Sequence, residues 1–129
     1  PSSSAVVAGE SVFKSIGCVN CHTPSWKTAA DHPIPAFRNV TLSPYSDFLV
    51  HDMGSLGDGL PAGSAGPREM RTAPLWGLRF QSQYLHDGRA GTLDAAISAH
   101  AGQGASSAAA FGRLNATQRS QLKAFLNSL

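Results

Sequence analysis

An all-α fold is the class this sequence predicts, on three observations. Apolar residues recur at helical spacing in three stretches, around 8–17, 92–100 and 115–129. Two of those stretches open on a residue suited to cap a helix, Thr92 and Asn115. Between the first and second lie Pro24, Pro33, Pro35, Pro44, Pro61, Pro67 and Pro74, with Gly54, Gly57, Gly59, Gly63 and Gly66, which exclude long helix or sheet. No repeat, heptad or convincing strand pattern interrupts this picture.

The first helix is expected from about Ala8 to Gly17, where Val12, Phe13 and Ile16 fall on one face and Gly17 stops it. Residues 23–74 read as loop, with only Ser46 to His51 looking capable of a short helix or turn. A loop that long is functional or folded around something. The second helix follows Thr92. Leu93, Ala96, Ile97 and His100 align at i, i+3, i+4 and i+7, and Gly102 and Gly104 end it. The last helix starts at Asn115, which forms a capping box with Gln118. Leu122, Phe125, Leu126 and Leu129 make its buried stripe, with Arg119 and Lys123 facing water.

A chain of 129 residues is expected to be one domain, 1–129, with a single core. A formal charge of +2 with no Lys/Arg run excludes nucleic acid as an electrostatic partner. No apolar stretch approaches the roughly 20 residues of a membrane span. No charged segment precedes an apolar run, so no signal peptide is read, and Pro1-Ser2-Ser3-Ser4 looks like a processed or cut end.

The chemistry concentrates at Cys18-Val19-Asn20-Cys21-His22, whose C-x-x-C-H order is that of a c-type haem attachment site. Two sulfurs spaced by two residues reach the two vinyl groups of the porphyrin, and the following histidine ligates the iron. A structural zinc site would need four ligands, and no second cysteine pair exists. A thioredoxin-like pair would need a βαβ context, and a plain disulfide would leave His22 unexplained. The expectation is one covalent haem c on Cys18, Cys21 and His22. Attachment of this kind takes place outside the cytoplasm, so a periplasmic location is expected.

Candidates for the sixth iron position are His32, His51, His86, His100, Met53 and Met70. A protein ligand there makes an electron-transfer haem, and an open position makes one that can bind peroxide. His100 has the best case, because it closes an apolar helical face where an unpartnered imidazole would be costly. Met53 is the second choice, and Met70 reads as packing.

Several segments resemble one family. Ser46-Asp47-Phe48-Leu49-Val50-His51-Asp52-Met53-Gly54, Arg71-Thr72-Ala73-Pro74-Leu75-Trp76-Gly77-Leu78, Tyr84-Leu85-His86-Asp87-Gly88-Arg89-Ala90, Ala95-Ala96-Ile97-Ser98-Ala99-His100 and Phe125-Leu126-Asn127-Ser128-Leu129 are similar to motifs of the di-haem oxidoreductases of the peroxidase or thiol oxidoreductase type. These stand with the bacterial di-haem cytochrome c peroxidases and MauG-like proteins. The resemblance runs from about Gly9 to Leu129 and matches the C-terminal half of such an enzyme.

The resemblance implies a cytochrome c-like helical domain with helix 8–17 against 115–128, Phe13 packing on Phe125 or Leu122. In the family one haem meets peroxide, and the C-terminal one is six-coordinate and relays or stores electrons. Where the peroxidases have a methionine and MauG-like proteins a tyrosine, this chain has His100, so a bis-histidine haem is implied and Met53 is left unassigned. A calcium ion held through Thr72 and Pro74 is implied, though the other domain's ligand is absent here. Trp26 and Trp76 are candidates for electron transfer or for the pocket wall. Arg71, Arg79 and Arg89 are candidate propionate partners, and His86 is expected to bond a propionate or a loop carbonyl.

The expected function is therefore a c-type cytochrome electron-transfer domain, partnered by a redox protein or a second haem domain. It would be the electron-transfer part of a di-haem peroxidase-like oxidoreductase rather than an enzyme by itself. The alternative is a haem peroxidase-type enzyme with an open distal iron site, and only Glu10 and Glu69 offer glutamates for it.

Overall fold

A computed structural model describes residues 3–129, so the reading of Pro1 and Ser2 as a processed end lies outside the described residues. The fold corrects the all-α expectation. It is 41% helical with 11% strand, a small mixed α/β structure with two antiparallel two-stranded sheets. Strand β1 (Trp26–Lys27) pairs with β2 (Thr41–Leu42), and β3 (Val50–Asp52) pairs with β4 (Glu69–Arg71). Each is two or three residues long, too short to show the alternation by which a strand is read from sequence. The prolines and glycines do exclude long elements, but they leave room for these brief pairings. Ser46 to His51 forms no helix. It turns at Phe48, whose φ is +59°, with Asp47 Oδ1 accepting from the Leu49 N–H at 2.9 Å, and leads into β3.

Helix α1 (Ser4–Ser15) begins earlier than expected because Ser3 caps it, its hydroxyl accepting from the Val6 N–H. It stops as expected at Gly17, whose φ of +85° is a left-handed conformation that suits glycine. Helix α2 (Leu93–Ser98) is capped by the Thr92 hydroxyl, and helix α4 (Ala116–Leu126) carries the full Asn115/Gln118 capping box. An unexpected helix, α3 (Ala105–Gly112), lies between them. Gly102–Gly104, read as a stop, form a 3₁₀ turn that feeds straight into it. Its composition of alanine, serine and glycine leaves Phe111 as its one large apolar residue, so no periodicity announced it.

The core lies where α1 crosses α4. Phe13 (2% exposed) meets Phe125 with ring centroids 5.3 Å apart, and Leu122 is fully buried beside them. The crossing is close because residue 9 is glycine. A Cβ there would lie 2.0 Å from the Gln121 carbonyl oxygen. Arg119 and Lys123 do not simply face water. Arg119 lies over the Phe111 ring and donates to the Leu114 and Gly112 carbonyls, and Lys123 pairs with Asp94 at 3.2 Å.

Candidate haem site

The attachment motif is a single turn. From Gly17 the chain enters a 3₁₀ turn at Cys18–Asn20, and the Cys21 and His22 N–H groups both donate to the Cys18 carbonyl, at 3.3 and 2.9 Å. That turn presents Cys18, Cys21 and His22 to one cavity of about 380 Å³. No disulfide joins the two cysteines. Burial pushes the Cys18 thiol up to about 11, against a smaller opposing backbone hydrogen bond and with help from Cys21. Burial, then Asp47, also raises Cys21. A raised thiol is poorly suited to disulfide exchange, in which the thiolate is the attacking group.

His22 is held by a segment that sequence reasoning did not single out. Its Nδ1–H donates to the Tyr45 carbonyl at 2.9 Å, which leaves Nε2 free. Burial lowers the proton affinity of the ring, outweighing the upward pull of the Tyr45 carbonyl, and His100 adds to the lowering. A neutral imidazole is the form that binds a metal. Tyr45 is fixed from both sides. The Ser43 and Ser46 carbonyls accept from the indole N–H groups of Trp76 (2.6 Å) and Trp26 (2.7 Å), the Pro44 carbonyl accepts from Leu75, and the Asp47 N–H donates to the Cys21 carbonyl at 2.8 Å. The tryptophans are thus braces on the outside, 52% and 47% exposed, and neither lines the cavity.

Across the cavity stands His100. Helix α2 ends at Ser98, so His100 lies just past it rather than on its face. Its N–H donates to Ile97 at 3.2 Å and its Nδ1–H to the Ala96 carbonyl at 2.9 Å. The ring centroids of His22 and His100 are 6.5 Å apart. Two imidazoles sharing a metal at about 2 Å from each nitrogen, plus the half-width of each ring, span on the order of 6 Å. Both rings have Nδ1 tied to a backbone carbonyl, and their centroid separation is compatible with one shared metal.

The other candidates sort by position. Met53 lines the same cavity on the side of His100, since its methyl group and the His100 ring both border Gly104. Met70 and His86 also line it, so Met70 is a wall residue, and His86 Nε2 lies 3.9 Å from Asp87 Oδ2. His32 is on the surface against Phe37. His51 has both ring nitrogens engaged, by Asp47 and Gln103. Of the three arginines, Arg71 lines the cavity, whereas Arg79 covers Phe80 and Arg89 pairs with Asp87 at 2.6 Å. The Thr72 carbonyl, a suggested calcium ligand, accepts from the buried Ser46 hydroxyl at 2.8 Å.

Most of the cavity wall is apolar, with Phe13, Leu78, Leu93, Ile97, Leu122 and Leu126 shared with or packed on the core. Its volume falls in the range of about 300–1,000 Å³ that holds cofactor-sized ligands. The donor set and the walls fit a haem. The family model described as "di-haem oxidoreductase, putative peroxidase" matches residues 1–129. The chain belongs to that di-haem oxidoreductase family. Haem is the cofactor this membership implies, and the chain is a di-haem oxidoreductase, peroxidase-like domain. Within the di-haem oxidoreductase chain itself one C-x-x-C-H is present, since Cys18 and Cys21 are its only cysteines. Neither the curated proteins nor the solved structures yield a match.

Proposed function

We propose that this chain is an electron-transfer domain, 1–129, of a di-haem oxidoreductase, with one covalent, bis-histidine haem c. The observation that carries the reading is the pair of imidazoles in one cavity with centroids 6.5 Å apart, each with Nδ1 committed to a carbonyl. When bound, the haem supplies a one-electron ferric/ferrous couple. Cys18 and Cys21 would tether it, and His22 and His100 would offer Nε2 to its iron. The Tyr45 and Ala96 carbonyls hold each ring in one tautomer and orientation, as outer partners of metal-bound histidines do. The apolar walls keep water from the site, and Arg71 and His86 offer donors where propionates would sit. Two histidines place the potential below that of a methionine/histidine pair.

The catalytic alternative needs an acid–base group over an open iron face. Glu10 is paired with Lys14 at 2.6 Å on α1, and Glu69 accepts from the Gly66 N–H at 2.6 Å. Neither lines the cavity. That favours relay over turnover. The second haem that the family calls for then belongs to a partner, either a redox protein or another haem domain, and the setting is the periplasm, where such haem is attached.

The test is the ferric optical spectrum of the purified holoprotein, extended into the near infrared. A low-spin spectrum with a bis-imidazole charge-transfer band is expected, and His100→Ala should turn it high-spin while Met53→Ala leaves it unchanged. A methionine-type band in the wild type would move the sixth ligand to Met53. A high-spin wild type would put catalysis first.

A further inference from the structure

We propose that His51 is a positioning residue that ties the turn carrying His100 to the haem-attachment segment and so keeps the sixth position closed. The inference rests on the His22/His100 reading above. His51 sits in the middle of β3, and its Nε2–H donates to Asp47 Oδ2 at 2.7 Å. On its other side Nδ1–H donates to Gln103 Oε1 at 3.2 Å, so the bridge has hydrogen on both ring nitrogens, and the same oxygen also accepts from the Asp52 N–H at 3.1 Å. The two ends of this bridge belong to the two sides of the cavity.

Asp47 is bound to the attachment turn. Its N–H donates to the Cys21 carbonyl, and its carboxylate, the His51 ring and the Cys21 sulfur lie within 4.8 Å of one another. Gln103 belongs to the distal side, three residues beyond His100 in the Gly102–Gly104 turn. That turn fits tightly around the ligand candidate. A Cβ on Gly104 would lie 3.1 Å from the His100 Cβ and 3.3 Å from its ring. It also docks onto the end of β3, where a Cβ on Gly102 would lie 2.2 Å from the Asp52 carbonyl oxygen.

His100 needs such a tie because it stands outside α2, with two local bonds back to Ala96 and Ile97. Those bonds orient the ring relative to α2 but do not fix the following turn across the cavity. The His51 bridge does, between residues 52 apart in the chain. Its Asp47 half is sheltered, with the His51 and Asp47 side chains 19% and 9% exposed, so solvent weakens that half less than a surface pair, while the Gln103 end is exposed. Since both ring nitrogens are engaged, His51 acts on the iron site through His100 and not as a ligand.

The experiment compares holoproteins of the wild type, His51→Leu, Gln103→Leu and His51→Gln by ferric spin state and by the rate of cyanide binding. Loss of one such hydrogen bond should speed cyanide binding about ten-fold and introduce a high-spin fraction in both leucine variants. His51→Gln, which keeps a polar group on the bridge, should return most of the wild-type behaviour. Gln103 is exposed, so its variant decides the matter if His51→Leu fails to fold. Leucine variants with the wild-type spectrum and rate would overturn the bridge. A wild type that is itself high-spin would instead overturn the bis-histidine reading beneath it.

Discussion

Tyr45 shows how a single residue can be decisive and yet invisible in a sequence. Its φ of +51° is left-handed, a conformation that costs a non-glycine residue about 1–2 kcal/mol, and it turns the carbonyl onto His22. The contribution is made by a backbone atom, which every residue has, so no residue type could flag it. Asp47 and His51, in contrast, left a trace, being an acid and a histidine at i and i+4. Burial pulls the Asp47 carboxyl up, but hydrogen bonds from the Leu49 N–H, Thr72 and His51 outweigh it and hold the group below its ordinary 3.8. A depressed folded value means stability that is present above 3.8 and lost as the pH falls through the folded value. Asp47→Asn should therefore cost about 1–2 kcal/mol at pH 7. The gap to wild type should narrow as the pH falls from the ordinary value through the lower folded one, below which both side chains are neutral. Urea midpoints of the two holoproteins at neutral and acid pH measure this, and a gap that stays constant would count against it.

At the scale of elements, the pairing of α1 with α4 is the most demanding contact. Phe125 touches both Phe13 and Tyr45, at 5.3 and 5.6 Å between ring centroids. Phe125→Ala should cost about 3–5 kcal/mol, read as a lowered melting temperature, and an unchanged melt would remove this packing claim. Gly9 is the reciprocal case. A side chain there meets the Gln121 backbone, which cannot swing aside, so Gly9→Val forces the helices apart. Overpacking of that kind costs about 1–3 kcal/mol or more, and the same melt measures it. The helix stripes of α1, α2 and α4 and the caps of α2 and α4 were legible because they are local and periodic, whereas the Ser3 cap of α1 was not read. Helix α3 was not, for want of an apolar face, and the four strands were not, because each is defined by a partner at least 14 residues away in the chain.

The molecule as a whole is organised around its cavity, and core side chains form the walls. At about 24 cal/mol per Å³, a void of 380 Å³ would cost at most on the order of 9 kcal/mol if nothing filled it. Total stabilities of domains are about 5–15 kcal/mol, so the chain and its cofactor should fold as one unit. The variant Cys18→Ala/Cys21→Ala should show no haem after denaturing electrophoresis and should lose a cooperative melt. A sharp melt at the wild-type temperature would separate folding from haem.

The sequence by itself determined what is local: the C-x-x-C-H chemistry, the caps at Thr92 and Asn115, the stop at Gly17 and the apolar stripe of α4. These depend on covalent spacing and on residues within one or two turns of each other. The tertiary structure decided which histidine faces His22, that the tryptophans brace the outside, and that short strands make the fold mixed rather than all-α. Each of those depends on distances between residues far apart in the chain, which burial and backbone hydrogen bonding settle together and which no window of sequence contains.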